Sequence, residues 1–235
     1  MPEPIDVYNK LFGHFGPQGW WPVTKKGECI PGYFALRYVR KSEREKCEIC
    51  LGALLTQNTA WKNAEKALSH LHRAGVVSIE KIHAIPARRL EAYIRSSGYY
   101  RQKAIRLKEF AGHIFSRHRG RLGNLFAQPL SSARQELISI KGIGPETADS
   151  MLLYAGGKPV SVIDAYTYRI GERLGWPVQR EYAAAQRFFH RALPVSAAIY
   201  NEFHALLVAL GKTVCAKVPR CMECPLNEEC LYGRR

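Results

Sequence analysis

Apolar residues recur every three to four positions along most of this chain, a period that commits it to helices. Cys47, Cys50, Leu51, Leu54 and Leu55 form one stripe, and Ala64, Ala67, Leu68 and Leu71 a second. A third runs Ala104, Leu107, Ala111, Ile114 and Phe115, and a fourth Tyr200, Phe203, Leu207 and Leu210. Pro86, Pro129, Pro177 and Pro194 fall between helical segments, where a residue lacking its N–H does least harm. Only "PVSVI", residues 159–163, reads as a strand, and it is short. The expectation is an all-α protein. Residues 1–40, rich in Gly, Pro and aromatics, predict one short helix followed by an extended arm.

The chain has 235 residues, enough for a substantial buried core. Its 35 Lys and Arg against 20 Asp and Glu leave a net charge of +15, spread over the whole chain. That excess calls for a polyanion partner and does not by itself choose among DNA, RNA and acidic membranes. No apolar run approaches the length of a membrane span, and "MPEPIDVYNK" lacks the apolar core of a signal peptide. The expected location is therefore cytoplasmic, nucleoid-associated if the partner is DNA, with no membrane partner.

Seven cysteines are present, and four of them, Cys215, Cys221, Cys224 and Cys230, crowd into "CAKVPRCMECPLNEEC". An odd total argues against a disulfide framework. Thiolates this close suit an iron–sulfur cluster or zinc. Cys47 and Cys50 also form a CxxC, but on an apolar helical stripe, which makes them core residues. Cys29 is isolated.

"SSARQELISIKGIGPETADSMLLYA" divides into helix, tight turn and helix. Gly142 and Gly144 permit positive φ and bring backbone N–H groups near a ligand, and Pro145 suits the first turn of the next helix. Such a turn can hold one nucleic-acid phosphate, which fixes register and carries no sequence information. An ordinary helix–helix turn would look the same.

This segment resembles the helix-hairpin-helix of the endonuclease III superfamily of DNA glycosylases, and the resemblance extends over most of the chain. It implies a two-lobed helical fold: a six-helix barrel lobe over 38–158, and a discontinuous lobe from 1–37 and 159–235 carrying a cysteine loop at 212–230. The hairpin residues would be Lys141, Gly142, Ile143, Gly144 and Thr147. Asp164, in "VSVIDAYTYRIGERLGW", matches the family's catalytic Asp. Glu146 stands where bifunctional members carry the lysine that attacks the sugar. "LGALLTQNTAW" resembles the segment whose glutamine, here Gln57, enters the gap left by a flipped base. "SSGYYRQKA" resembles the loop that wedges a side chain, here Tyr99, into the opposite strand. "GWWP", Trp61 and Glu146 resemble the endonuclease III-type 3-methyladenine branch, where residues matching Trp20 and Trp61 sandwich the base; Trp21 is placed in the same pocket. Cys215, Cys221, Cys224 and Cys230 would hold a 4Fe-4S cluster, with Lys212, Lys217 and Arg220 beside it meeting phosphates. The first gap between these cysteines is a residue shorter than is common in endonuclease III-like enzymes, and some members of the 3-methyladenine branch lack the cluster. The implied partner is double-stranded DNA containing damaged bases, bound by a monomer across the groove between lobes, with Glu146 and Asp164 facing the flipped nucleotide.

The chemistry fits a chain without that lysine. Breaking an N-glycosidic bond passes through an oxocarbenium-like state that a carboxylate can stabilise. Asp164 is the candidate, although an Asp after "VSVI" is also a good N-cap. Glu146 cannot form a Schiff base and suits the first turn of a helix. Alkylated purines carry positive charge, so the bond to sugar is already weak, and indole faces attract the cation by about 0.5–2 kcal/mol. The expected activity is monofunctional excision of an alkylated purine such as 3-methyladenine. The alternatives are a bifunctional glycosylase/lyase for oxidised pyrimidines, a uracil or thymine mismatch glycosylase, and a non-catalytic sensor of damaged DNA.

Overall fold

The computed structural model describes residues 1–35, 41–178 and 181–233. Its helices in chain order are α1 (Pro4–Phe15), α2 (Glu43–Leu55), α3 (Trp61–Arg73), α4 (Ile79–Ala84), α5 (Ala87–Tyr93) and α6 (Tyr100–His118). There follow α7 (Leu122–Ala127), α8 (Leu130–Ser139), α9 (Pro145–Ser150), α10 (Ala165–Leu174), α11 (Tyr182–Ala192) and α12 (Ala197–Thr213). No strand occurs among the described residues, and no single helix there is long and apolar enough to cross a membrane. The all-α expectation holds.

The chain divides into two compact units, one of Met1–Trp20, Phe34–Tyr38 and Pro159–Arg235, the other of Trp21–Tyr33 and Val39–Lys158. Residues 21–33 thus join the second unit, whereas the sequence reading assigned all of 1–37 to the discontinuous lobe. The expected boundary at residues 37 and 38 lies outside the described residues. What holds the arm is a polar clamp. Val23 and Gly32 pair as an isolated bridge, and the buried Glu48 carboxylate accepts hydrogen bonds from the Thr24 N–H at 3.0 Å and its hydroxyl at 2.5 Å. His72 places Nε2 3.0 Å from the same carboxylate.

In that unit α2 is central, buried from Glu45 to Leu55, and starts at a capping box in which Ser42 and Glu45 satisfy each other's backbone N–H. The stripes on α2 and α3 are buried as expected, including Cys47 and Cys50, whose thiols burial pushes upward. On α6 the stripe is buried except at its last member: Phe115 is 45% exposed and stacks on His83 instead. Phe115, one residue past Ile114, is turned about 100° around the helix from it and so lies off the core face.

The other unit packs α12 against α1 and α10 around Trp176, Phe189 and Phe203, with ring centroids 5.5–6.3 Å apart. The predicted strand at 159–163 has no regular secondary structure and joins no ladder. Its backbone bonds side chains of α11 instead: Ser161 N–H donates to His190 at 3.0 Å, and Gln186 donates to the Ser161 carbonyl at 2.8 Å. Val160, Val162 and Ile163 are buried, which explains the strand-like composition.

Candidate functional site

The hairpin joins α8 to α9. Ile140 and Ile143 are buried and close the turn through an Ile143 N–H to Ile140 carbonyl bond of 3.0 Å. Gly142 has φ +88°, where a Cβ is strained, but Gly144 is extended at φ −89°, so only one of the two glycines uses left-handed space. Their surroundings differ as well. A Cβ on Gly142 would lie 2.8 Å from the Arg106 side chain, while one on Gly144 meets nothing within 4 Å, leaving that backbone open to a ligand. Lys141 and Glu146 are exposed, Glu146 in the first turn of α9 as expected. Arg134 fixes α8 to α9 through a two-pronged bond to the buried Asp149, at 2.7 and 3.1 Å.

Gln57 does not project freely. Its Nε2 donates to the Gly142 carbonyl and to the Thr147 hydroxyl, both at 3.0 Å, and its Oε1 accepts from Arg106 at 2.6 Å. Gln57, Arg106, Gly142 and Thr147 thus form one polar cluster on the hairpin, and Arg106 is a member that periodicity alone did not reveal. Tyr99 is 70% exposed and holds a left-handed conformation, φ +46°, at the N-cap of α6. A non-Gly residue there is strained by roughly 1–3 kcal/mol.

Lys103 links the loops that carry Gln57 and Tyr99. Only 1% exposed, it donates from Nζ to the Leu55 carbonyl at 2.8 Å and to the Ser97 carbonyl at 2.6 Å. Burial, aided by the charge of Arg106, lowers its pKa to about 8. Its signal in the sequence was a lysine four residues before Leu107, on the face that should be apolar.

Asp164 is the N-cap of α10 and more besides. Oδ1 accepts from the Thr167 N–H at 2.8 Å and from its hydroxyl at 2.9 Å, completing a capping box. Oδ2 lies 3.5 Å from His204 Nε2 on α12. Burial pushes the carboxyl up, but the hydrogen bond and charge of His204, with the Thr167 bonds, bring it below the usual aspartate range. His204 had no signal beyond a single histidine inside an apolar helix. Lys212 belongs to the same neighbourhood: its ammonium sits 5.6 Å from the centre of the Trp20 ring, and the Asp164 charge partly offsets the desolvation that lowers its pKa. Lys212, expected beside the cysteines as a phosphate contact, thus sits with Trp20 and Asp164.

In the other unit, Trp21 and Trp61 meet edge to face with centroids 5.3 Å apart, and Trp21 leans on Tyr154 at 5.4 Å. Trp21 is buried, packed so closely on α2 that a Cβ at Gly52 would lie 3.1 Å from its Nε1. Trp61, half-buried, opens α3.

Cys215, Cys221, Cys224 and Cys230 line one cavity together with Arg173, Pro219, Asn227 and Tyr232. Burial raises the Cys224 thiol, partly opposed by a backbone hydrogen bond, and the charges of Cys215, Cys230 and Cys221 add to the rise. Arg173 donates to the Cys215 sulfur at 3.0 Å and to the Ala216 carbonyl at 2.7 Å. A convergent four-thiol set with a guanidinium to balance its charge fits a thiolate-ligated cluster. Lys217 is exposed nearby, and Arg220 is paired with Glu223 at 2.9 Å.

Residues 51–194 match the HhH-GPD superfamily base excision DNA repair protein family. A candidate DNA repair glycosylase of Methanocaldococcus jannaschii is 36% identical over 231 residues, 96% of this chain and 94% of that one. Helicobacter pylori 3-methyladenine DNA glycosylase, solved bound to 1,N6-ethenoadenine, is 28% identical with a TM-score of 0.73, over 90% of this chain and 98% of that one. Endonuclease III in a non-covalent complex with DNA shares the fold at a TM-score of 0.75 and 20% identity, over 100% of this chain and 98% of that one. With the hairpin, the helical architecture and this match in hand, the chain belongs to the HhH-GPD superfamily and is a DNA base-excision repair glycosylase.

Proposed function

We propose that this glycosylase is monofunctional and excises an alkylated purine such as 3-methyladenine from duplex DNA, leaving an abasic site. The observation that carries the reading is the carboxylate of Glu146 on the exposed first turn of α9, where a lyase of this family needs an amine. The likeness to a 3-methyladenine glycosylase at 28% identity supports the substrate class. Asp164 is ionised at neutral pH, and its Oδ2 stabilises positive charge developing on the sugar or orients water, while Oδ1 keeps the carboxylate fixed on Thr167. Trp20 and Trp61 offer indole faces to a cationic base. Gln57 and Tyr99 fill the duplex after flipping, and the Gly144 backbone with Lys141 takes a phosphate.

Cys215, Cys221, Cys224 and Cys230 would hold a 4Fe-4S cluster, which on binding supplies a rigid staple for the loop after α12. Arg173 of α10, whose guanidinium bonds the Cys215 sulfur and the Ala216 and Lys217 carbonyls, orients that loop on α10.

A second reading rests on Lys212. Its amine lies over Trp20, near Asp164, with a lowered pKa, which suits an attacking amine. One experiment addresses both. Free bases released from methylated duplex DNA are separated by chromatography for the wild type and Asp164→Asn, beside thymine-glycol and uracil duplexes, with borohydride trapping in each case. Methylated purine release without trapping, lost in the variant, supports the monofunctional enzyme. A trapped adduct that disappears in Lys212→Gln establishes the second reading. Release only from the pyrimidine substrates overturns the alkylpurine assignment.

A further inference from the structure

A cluster outside the residues assigned to glycosylase chemistry has the composition of a metal centre. Two histidines of α6, His113 and His118, each place Nε2 2.7 Å from the same oxygen, Oε1 of Glu136 on α8. One ligand atom from each of the three lies within 4.8 Å of the others. The second carboxylate oxygen accepts from Gln128 at 2.7 Å, which fixes the plane of the carboxylate. Two imidazole nitrogens and a carboxylate oxygen, steadied by an outer hydrogen bond, form the donor set of a first-row divalent cation.

We propose that His113, His118 and Glu136 bind one zinc or similar divalent cation, linking the end of α6 to the helix that opens the hairpin. Tetrahedral ligands sit about 2.1 Å from zinc and hence about 3.4 Å apart. The two imidazoles therefore have to retreat from Oε1 by about 0.7 Å, within reach of small χ rotations. His113 is the most accessible of the three, with 22% of its side chain exposed, and the coordination position left by three protein ligands would be filled by water on that side. Arg117 opposes the cation: its Nε lies 3.7 Å from Oε1, but the side chain is 68% exposed and can swing into solvent. The role is structural: the ligands tie α6 to α8, and no residue assigned to glycosylase chemistry is among them.

The test uses the purified full chain and cobalt(II), whose absorption separates nitrogen and oxygen ligands from the thiolates of the cysteine loop. The wild type is expected to take up one nitrogen/oxygen-type cobalt and to melt at higher temperature with it. His113→Ala and Glu136→Gln should weaken that uptake more than tenfold, and Gln128→Ala by about tenfold, as loss of an outer-shell partner does. Arg117→Ala should tighten it, a gain that misfolding cannot mimic. Absence of the nitrogen/oxygen-type spectrum in the wild type, or unchanged affinity in His113→Ala, overturns the proposal and leaves a hydrogen-bonded imidazole–carboxylate cluster.

Discussion

Asp164 and His204 share one carboxylate oxygen: Oδ2 of the N-cap of α10 lies 3.5 Å from Nε2 of the histidine on α12, while Oδ1 is committed to Thr167. A single side chain therefore starts a helix with one oxygen and faces a histidine with the other. The two roles come apart by substitution. Asn caps a helix about as well as Asp but carries no charge. Asp164→Asn is expected to keep the wild-type melting temperature within about 1 kcal/mol of stability and to lose about 10²–10³ in single-turnover base release. Asp164→Ala should lose the cap as well, about 1 kcal/mol more. Equal destabilisation by both would contradict the division of labour.

The pH dependence follows from the same pair. The folded-state pKa of Asp164 is depressed, so its contribution to stability is present above the ordinary aspartate value and is lost as pH falls through the folded value. Activity that needs the ionised form should show no limb from this group near neutrality. His204→Ala removes the hydrogen bond and charge that oppose burial, so the acid limb should move to higher pH. A pH–rate profile of single-turnover base release, compared between the two proteins, checks this.

Lys103 gives the same sign of effect for a cation, at higher pH. Its folded pKa of about 8 lies below the ordinary lysine value of 10.5, so between these the unfolded chain binds more protons and stability due to this group rises with pH. Urea unfolding should therefore show the stability of wild type relative to Lys103→Met increasing from pH 8 to pH 10, by up to a few kcal/mol. The variant should also weaken binding to an abasic-site duplex more than to intact duplex, because the loops of Gln57 and Tyr99 share this anchor.

Gly142 combines a strained φ with a close neighbour. Gly142→Ala is expected to cost about 1–3 kcal/mol and to weaken DNA binding uniformly across sequences, since the hairpin meets backbone. Adding Arg106→Ala removes the 2.8 Å approach but not the φ of +88°, so stability should recover only in part. Full recovery in a thermal melt would locate the whole cost in the steric contact.

Glu48 tests the arm. Its carboxylate, fully buried, serves Thr24 and His72, and Glu48→Ala leaves those groups without a partner. A loss of about 3 kcal/mol is expected in chemical denaturation, together with faster proteolysis within residues 21–33. Glu48→Gln, which can still accept from Thr24, should lose less.

Much of this protein is set by local rules that a sequence carries openly. Helical periodicity follows from where apolar groups fall along the chain, which is why the stripes on α2, α3 and α12 read correctly. The hairpin was legible because Gly142 and Pro145 impose backbone geometry within a few residues, and the convergence of the four cysteines because they stand so close in the chain. Asp164 was legible as a cap for the same local reason. Tertiary structure decided what depends on partners distant in the chain. His204 reaches Asp164 only because α12 packs on α10, and Lys103 is recognisable as an anchor only once Leu55 and Ser97 converge on it. "PVSVI" became an irregular segment satisfied by α11 rather than a strand, because burial and hydrogen bonding were supplied by side chains that no local pattern announces. The arm at 21–33 went to the unit of α2 for one buried carboxylate. Propensity acts over neighbouring residues, whereas the cost of a buried polar group is settled only by whatever the fold brings within 3 Å of it.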